Sequence, residues 1–422
     1  MDYYTIKGGK KLKGEVKISG AKNAALPIIV ASLLADGETV LQNVPDLKDI
    51  RTIIKVIEYL GAETEFDSTK NILKIKVNSI KNGDMPYELV KTMRASVYVM
   101  GPLLARLGEA DVSLPGGCAI GERPVDIHLS GFESMGAKIE IEHGYIRAKA
   151  KKLVPATITM RQISVGATAN LIMGSVLTPG KTLLENCAME PDIVDLANFL
   201  NKMGAKITGV GTERITIQGV KKLNPVTYKI MPDRIEAGTF LLCGAISRGE
   251  VKITDCVPAH IQSLINLLED MGFKLETGKS TVSIAPSSKL GGFMVKTLPY
   301  PGFPTDLQAP LMSLATTIPG ISVIIETIFE NRFTHAAELR RMGADITIEG
   351  NVAIIKGVSR LSAAPVMMSD LRAGAALITA AIAARGETEI RRIYHSDRGY
   401  EKLSEKLSAI NADIKRVKGG TF

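Results

Sequence analysis

The sequence predicts an α/β protein of two domains, built from six copies of one repeat that places small apolar helices inside and sheets outside. Three observations support this prediction. The chain has 422 residues, which exceeds the usual size of a single hydrophobic core. Six amphipathic helices end in the same way at nearly constant spacing. Each repeat also carries a second helix that has no polar face.

An amphipathic helix that closes in Gly-Ala, or a near variant of it, occurs six times. The cap positions are Gly61, Gly136, Gly204, Gly272, Gly343 and Asn411, at successive separations of 75, 68, 68, 71 and 68 residues. Glycine, or asparagine in the last copy, is what a left-handed helix cap requires. Alternating apolar and polar residues follow the caps, as in 138–142 and 345–348, and predict strands.

The second helix of the repeat is small and apolar on all sides. Examples are the segments 24–34, 165–177 and 373–384. A helix without a polar face is buried, so we expect these helices inside and the strands around them. This favours an inside-out α/β barrel arrangement over a Rossmann sheet. The apolar run 373–384 is too short to span a bilayer.

Six repeats over two domains imply three repeats in each. The first interior helix begins near residue 22 and the fourth near residue 233, so one domain is predicted over 22–229. The other domain takes 1–21 with 230–422, and the strand-like segment 15–18 is expected to complete the final repeat. Because such a chain passes between the domains twice, we expect hinge closure over an active-site cleft between them.

Composition excludes several classes of function. The net charge of +8 favours acidic partners, but the basic residues are dispersed and aromatic residues make up only 5%. Stacking on nucleic acid is therefore poorly supported, and small phosphorylated substrates fit better. The four cysteines show no zinc spacing, and the five histidines are scattered, so no metal site is expected. Without a signal-peptide pattern, a reducing cytoplasm is the expected compartment.

One loop is longer in the second repeat than in the others. From the glycine after the interior helix to the next cap, five repeats span 23 to 25 residues, whereas Gly108 to Gly136 spans 28. The additional residues belong to 113–126, where Cys118 follows two glycines and Arg123 adds a positive charge. An insertion that five copies lack suggests a lid that handles an anionic substrate. The alternative is a surface loop with an incidental cysteine.

Polar residues also collect where the interior helices begin, and helix N-termini bind anions readily. Capping alone explains four of them, namely Ser164, Asp233, Asp306 and Asp370. It does not explain Lys22 or Arg94, because cations at an N-terminus oppose the helix dipole. The sequence therefore predicts an anion beside those two residues. The loops before the outer helices add the pairs Glu190 with Asp192, Glu330 with Arg332, and Asp397 with Arg398.

The whole chain resembles the enolpyruvyl transferase family, and within it the members that use a UDP-sugar acceptor. The matching motifs are 20–24, 91–96, 114–121, 123–126, 164–168, 304–306, 329–333, 370–372 and 397–400. The shikimate-pathway branch shares the six-repeat fold but lacks the Pro-Gly-Gly-Cys loop. The resemblance implies transfer of the enolpyruvyl group of phosphoenolpyruvate to the 3′-hydroxyl of UDP-N-acetylglucosamine, with phosphate released. That reaction is the first committed step of peptidoglycan synthesis, and it uses no metal or organic cofactor.

The resemblance also implies roles for individual residues. Cys118 is the proton donor and the site of covalent modification, and Asp306 is the base for the 3′-hydroxyl. The phosphoenolpyruvate site comprises Lys22, Asn23, Arg123 and Arg398, of which Lys22 and Arg398 also count as catalytic. The UDP-sugar site comprises Asn23, Arg94, Arg123, Pro124, Val125, Asp126, Ile127, Gln162, Ile163, Ser164, Val165, Asp306 and Ile328.

Two residues depart from the family pattern. Gln162 stands where some relatives have lysine, and Glu122 puts a carboxylate in the lid where a small residue is common. Two other functions stay open beside the main one. They are a transferase of the same fold with a shikimate-like acceptor, and an inactive paralogue that binds UDP-sugars and regulates the pathway. The sequence leaves the oligomeric state open.

Overall fold

The computed structural model describes residues 1–81, 94–114, 125–287 and 289–419. These residues form two compact parts, each with its own hydrophobic core. Lobe 1 comprises the described residues from Gly20 to Met231. Lobe 2 comprises Met1–Ser19 and the described residues from Pro232 onward.

Twelve α-helices lie within these ranges. They are α1 Lys22–Ala31, α2 Lys48–Tyr59, α3 Met100–Leu107, α4 Asp126–Ser134, α5 Val165–Ser175, α6 Pro191–Lys202, α7 Arg234–Ile246, α8 Gln262–Asp270, α9 Thr305–Ala315, α10 Ala336–Arg341, α11 Leu371–Ala383 and α12 Leu403–Ala409. Short 3-10 helices add Ser32–Leu34, Arg94–Val99, Pro258–Ile261 and Ile393–Arg398. No helix of the described ranges is both long and apolar enough to cross a membrane.

The interior helices are α1, α3, α5, α7, α9 and α11. Most of their residues are buried, including nearly every residue of α7 and α11. In lobe 2, α7, α9 and α11 pack against one another. The prediction that helices without a polar face lie inside is therefore confirmed.

The outer helices α2, α4, α6, α8, α10 and α12 all end in the predicted left-handed cap. The φ angles are +100° at Gly61, +87° at Gly136, +106° at Gly204, +98° at Gly272, +87° at Gly343 and +74° at Asn411. In the first five copies glycine adopts this conformation without steric cost. Each cap turns the chain directly towards the next strand of its repeat.

Twenty-three strands are formed by the described residues. They are β1 Tyr3–Lys7, β2 Lys13–Lys17, β3 Gly37–Gln42, β4 Ala62–Asp67, β5 Ile72–Val77, β6 Glu109–Ser113, β7 Lys138–Glu142, β8 Tyr145–Lys149, β9 Thr157–Thr159, β10 Lys181–Glu185, β11 Lys206–Thr208, β12 Arg214–Gln218, β13 Thr227–Lys229, β14 Glu250–Thr254, β15 Lys274–Thr277, β16 Thr281–Ala285, β17 Met294–Lys296, β18 Ile321–Ile325, β19 Asp345–Glu349, β20 Val352–Lys356, β21 Val366–Met367, β22 Glu387–Arg391 and β23 Asp413–Val417.

The strands assemble into six separate sheets. Lobe 1 holds β13-β3-β5-β4, β6-β8-β7 and β11-β12-β10-β9, and lobe 2 holds β21-β22-β1-β23, β15-β16-β14-β2 and β17-β18-β20-β19. The inside-out α/β class is thereby confirmed. Among the described strands, however, no sheet closes on itself, so the predicted barrel is an arrangement of open sheets around helices.

The strand that completes the final repeat differs from the prediction. Tyr3–Lys7 lies between β22 and β23 of that repeat, with Tyr4 opposite Ile390. The segment 15–18 instead contributes to β2, which runs parallel to β14 of the fourth repeat. Both segments alternate and bury their apolar side chains, since Tyr4, Ile6 and Val16 are all at most 2% exposed. Alternation alone therefore gave no basis for choosing between them.

Candidate active site

Asp306 lies at the centre of a charged cluster in lobe 2. It is the second residue of α9, and its two carboxylate oxygens each lie 2.7 Å from a guanidinium nitrogen, one of Arg332 and one of Arg372. The arginine side chains are only 3% and 8% exposed, whereas the Asp306 side chain is 25% exposed. The carboxylate is therefore the accessible end of a buried ionic cluster.

The start of α11 holds Arg372 in place. The N-cap Asp370 accepts hydrogen bonds from the backbone N–H groups of Arg372 (2.9 Å) and Ala373 (3.1 Å). The guanidinium donates to the hydroxyl of Tyr400 at 3.2 Å. Burial lowers the pKa of Arg372, but the nearby Asp306 carboxylate and the Tyr400 hydroxyl outweigh it and hold that pKa above its ordinary value. Arg372 therefore stays charged beside Asp306.

A buried carboxylate, Glu326, connects the first turn of α9 to the loop that carries Ile328. Glu326 is 2% exposed. One of its oxygens accepts from the Thr297 hydroxyl and from the Ile328 backbone N–H, both at 2.8 Å. The other accepts from the hydroxyl of Thr305 at 2.9 Å. One side chain thus positions both Ile328 and the residue that precedes Asp306.

Sequence reasoning singled out Arg332, in the loop pair with Glu330, and Arg372, in the motif 370–372, but assigned neither of them as a partner of Asp306. It missed Glu326 altogether. The two arginines lie in motifs that carry the resemblance, and each follows a charged residue in a loop or at a helix start. That pattern was a usable signal for partners of Asp306. Glu326 follows the apolar strand β18 directly, and an acidic residue immediately after an apolar strand was its only signal.

Arg398 ends the 3-10 helix Ile393–Arg398 and is half-buried. Its neighbour Asp397 makes a two-pronged ion pair with Arg416, at 2.8 and 3.0 Å. The carboxylate of Asp397 is therefore paired with Arg416 on strand β23.

In lobe 1, Lys22 begins α1 and lies beside a carboxylate. Its Nζ is 3.3 Å from Oδ2 of Asp49, and the two side chains are only 11% and 9% exposed. Asn23 follows Lys22 and is half-buried. The sequence predicted an anion beside Lys22, and the chain itself supplies one in Asp49. Sequence reasoning missed that residue because an acid in the first turn of α2 is explained by the helix dipole.

Two predicted segments of the UDP-sugar site meet in lobe 1. Asp126, the first residue of α4, forms an ion pair with Arg161, which directly precedes Gln162. Ser164 caps α5 by accepting a hydrogen bond from the Ala167 backbone N–H at 3.2 Å, as predicted for a helix cap. This ion pair therefore links the start of α4 to the turn that enters α5.

The exposure of the remaining predicted residues in these segments differs. Gln162 is exposed, and Val125, Ile163 and Val165 are half-buried. Ile127 is 3% exposed and belongs to the core of lobe 1. If Ile127 contacts a substrate, its backbone is therefore the part available to do so.

Several predicted residues lie where no side chain is described. Arg94 begins the 3-10 helix Arg94–Val99, which leads into the interior helix α3. Cys118, Arg123 and Pro124 lie outside the described residues, as does the departure at Glu122. Their roles stay predictions.

The other three cysteines are buried free thiols. Burial raises the pKa of Cys187 and of Cys243 to about 12, and it also raises the pKa of Cys256. The thiolate is the reactive form of cysteine, so these three side chains are inert at neutral pH. The interpretation of them as packing residues is confirmed by their burial.

A brief treatment of the native protein with iodoacetamide is therefore expected to modify Cys118 and to leave Cys187, Cys243 and Cys256 unmodified. Peptide mapping by mass spectrometry, before and after unfolding in urea, measures this difference. The Cys118→Ser variant is the matched control, since it should take up almost no label when native. Equal labelling of Cys187 and Cys118 in the folded protein would contradict the expected reactivity.

The two histidines predicted in outer helices are both buried. Nδ1 of His128 lies 3.1 Å from the side-chain amide nitrogen of Asn170, as expected for a satisfied histidine. His335 directly precedes α10, and burial lowers its pKa to about 4, so it is neutral at physiological pH. Within the described part of the chain, no group of three His, Cys, Asp or Glu side chains is arranged to hold a metal ion.

Nearly the whole chain is similar to known proteins. Residues 6–407 match the family model described as EPSP synthase (3-phosphoshikimate 1-carboxyvinyltransferase). A UDP-N-acetylglucosamine 1-carboxyvinyltransferase of Geotalea uraniireducens is 54% identical over 417 residues, covering 99% of this chain and all of the relative. The enzyme of the same name from Myxococcus xanthus is 52% identical over 419 residues, with the same coverage of both chains.

Solved structures give the same fold. The enolpyruvyl transferase NikO from Streptomyces tendae superimposes with a TM-score of 0.89 at 25% identity, and 99% of each chain is covered. An EPSP synthase from Acinetobacter baumannii gives a TM-score of 0.78 at 17% identity, covering 99% of this chain and all of the other. The second likeness concerns the fold alone.

Proposed function

Because the chain belongs to the EPSP synthase (3-phosphoshikimate 1-carboxyvinyltransferase) family, we propose that it is an enolpyruvyl transferase with a UDP-sugar acceptor. It moves the enolpyruvyl group of phosphoenolpyruvate to the 3′-hydroxyl of UDP-N-acetylglucosamine and releases phosphate. The acceptor is the one named in full-length relatives that are more than half identical. The structural observation that carries the proposal is the accessible Asp306 carboxylate flanked by two buried guanidinium groups.

The reaction requires an acid and a base at different atoms. Cys118 gives a proton to the methylene carbon of phosphoenolpyruvate, and the adjacent carbon becomes electron-poor and oxocarbenium-like. Asp306 removes the proton of the 3′-hydroxyl as its oxygen bonds to that carbon. Loss of phosphate and of a proton from the new methyl group then restores the double bond. Each step is general acid–base chemistry, which side chains alone can perform.

The cationic groups bind the charges of phosphoenolpyruvate. Lys22, Arg123 and Arg398 hold its phosphate and carboxylate, with Asn23 adding a neutral contact. Arginine suits this task because its planar fork binds such anions through two hydrogen bonds. The closeness of Asp49 to Lys22 supports a role for Lys22 as a fixed, already oriented cation.

We further propose that the reaction takes place in the cytoplasm, as the first committed step of peptidoglycan synthesis. No disulfide joins the three described cysteines, which fits a reducing compartment. The UDP-sugar contacts are assigned to Arg94, Asp306 and Ile328, together with the segments 123–127 and 162–165. The exposed Gln162 provides a neutral contact where some relatives offer a cation.

A phosphate-release assay with defined substrates tests this proposal. Phosphoenolpyruvate with UDP-N-acetylglucosamine should release phosphate, and phosphoenolpyruvate with shikimate 3-phosphate should not. The epoxide fosfomycin should abolish the release by alkylating Cys118. Release with shikimate 3-phosphate alone would establish the shikimate-type alternative. Binding of the UDP-sugar without any phosphate release would establish the inactive regulatory paralogue.

Loss of the Thr305 hydroxyl is expected to weaken acceptor use specifically. A hydrogen bond to a charged group contributes about 1.5–3 kcal/mol, so Thr305→Val should loosen both Asp306 and the Ile328 loop through Glu326. We expect a rise in KM for the UDP-sugar and a fall in kcat, each about tenfold. The KM for phosphoenolpyruvate should change much less.

Thr305→Ser is the conservative counterpart, because it keeps the hydroxyl that donates to Glu326, and its kinetics should stay near those of the wild type. Thr317→Val is a matched control on the same lobe, since its hydroxyl contacts only the Leu314 carbonyl among the described hydrogen bonds. An equal rise in both KM values, together with a loss of thermal stability in Thr305→Val, would point to a merely structural role.

A further inference from the structure

The sheet β17-β18-β20-β19 of lobe 2 has an apolar outward face. Strand β18 directs Ser322 and Ile324 into the lobe, where both are fully buried, and directs Ile321, Val323 and Ile325 outward. Ile321 is 62% exposed. The neighbouring strand β20 buries Ala353 and Ile355 and directs Val352 and Ile354 outward, and Met294 on β17 is 70% exposed. Five of the six outward residues on the two central strands are therefore apolar.

The internal repeat supplies five controls for this observation. The strands that correspond to β18 are β3, β6, β10, β14 and β22. Their first outward residues are all charged, namely Glu38, Glu109, Lys181, Glu250 and Glu387, where β18 has Ile321. Their last outward residues are all polar, where β18 has Ile325. The middle outward residue is apolar in β3 and β10 as well, at Val40 and Leu183, so the contrast lies at Ile321 and Ile325. The fold does not require apolar residues at those two positions, and a contiguous, partly exposed apolar patch indicates an interaction surface.

Charged residues border the patch on opposite edges. The pairing register places Lys296, Ile325, Val352 and Glu349 in one row across the four strands. Lys296 is on the edge strand β17 and Glu349 is on the edge strand β19. The adjacent row is Met294, Val323, Ile354 and Thr347. These two rows have an apolar centre, and the first carries opposite charges at its two ends. The third row, Ile321, Lys356 and Asp345, places a lysine beside the apolar residue.

We propose that this face binds the same face of a second copy of the chain. In a dimer whose twofold axis is parallel to the strands, β17 lies over the partner's β19 and β18 lies over the partner's β20. Each row of residues then faces the same row of the partner. Val323 then packs on the partner's Ile354, and Lys296 meets the partner's Glu349 twice, once on each side of the axis. Self-complementarity of this kind is what an isologous dimer requires. Two stacked sheets also pack at about 10 Å through such apolar side chains.

The size of the patch sets the expected strength of the dimer. Four strands at about 4.8 Å spacing give a face about 15 Å wide. This is smaller than the surface of about 800 Å² per partner that a standard interface buries. The dimer is therefore weak and reversible, and it forms at high protein concentration.

Sedimentation velocity on the full chain, from about 1 to about 200 µM, tests the proposal. The wild type should change from monomer to dimer over this range, and Val323→Lys should stay monomeric throughout. The matched control is Leu183→Lys, at the corresponding outward position of β10 in lobe 1, which should dimerise like the wild type. Retained thermal stability and phosphate release in each variant show that it is folded.

A charge exchange tests the geometry of the contact. Lys296→Glu and Glu349→Lys should each weaken dimerisation about tenfold or more by placing like charges together, and the double variant should restore it. A wild type that is monomeric at every concentration overturns the proposal. So does a dimer that Val323→Lys leaves intact, or a double variant no better than the single ones. A monomer that binds a different protein through this face also overturns it.

Discussion

Replacement of Cys118 by serine is expected to lower kcat by about 10³-fold or more, whereas Cys118→Asp is expected to keep a measurable part of the activity. A thiol with a pKa of about 8.5 is mostly protonated at neutral pH and can give up its proton readily. A serine hydroxyl is a far weaker acid, while a carboxyl group can still donate a proton in its protonated fraction. Phosphate release at saturating concentrations of both substrates measures the difference.

The two variants also separate acid catalysis from covalent trapping. A thiolate is nucleophilic, but neither a hydroxyl nor a carboxylate readily opens an epoxide under the same conditions. The residual activity of Cys118→Asp should therefore resist fosfomycin, whereas the wild type should lose activity with time. Near-wild-type rates in both variants would contradict the acid role of Cys118.

Replacement of Asp306 by alanine is expected to lower kcat by about 10²- to 10⁴-fold, the range that general base catalysis contributes. Binding of the UDP-sugar should persist in part, because most of its proposed contacts lie elsewhere. Isothermal titration with the UDP-sugar, combined with kcat from phosphate release, measures the two effects separately.

The ionic cluster makes a second variant necessary. Asp306→Ala leaves the buried guanidinium groups of Arg332 and Arg372 without this carboxylate, and breaking a buried ion pair costs about 3–5 kcal/mol. Because about a quarter of the Asp306 side chain is exposed to solvent, the cost of removing it should be smaller than this. Asp306→Asn keeps a carbonyl oxygen for one guanidinium and removes the base. An unchanged kcat in Asp306→Asn would remove the base assignment, whereas a loss in the folded Asn variant supports it.

The repeat and the interior helices were predictable from sequence because each depends on local chemistry. A glycine at a left-handed cap, as at Gly204, has a conformational cause within its own turn. A helix without a polar face, such as α11, has no stable place except the inside. These signals need no knowledge of which strand pairs with which.

Pairings distant in sequence were beyond the same reasoning. Segments β1 and β2 both alternate, and only the register shows that Tyr4 lies opposite Ile390. The contacts of Asp306 with Arg332 and Arg372 join residues 26 and 66 positions apart. Sequence placed Asp306 at a helix start correctly, but the capping role predicted for it is wrong. The N-cap of α9 is Pro304, and the two carboxylate oxygens of Asp306 bind arginines instead.

The position of β1 has a consequence for how the chain is made. Tyr3–Lys7 is a central strand whose neighbours, β22 and β23, are the last but one and the last strands of the described chain. During synthesis β1 stays without its hydrogen-bonding neighbours until residues 387–417 have left the ribosome. Lobe 1 draws all of its described strands from Gly20 to Met231 and can fold long before that moment. A nascent chain released before β22 is made therefore has a folded lobe 1, but its β1 segment has no neighbouring strand to pair with.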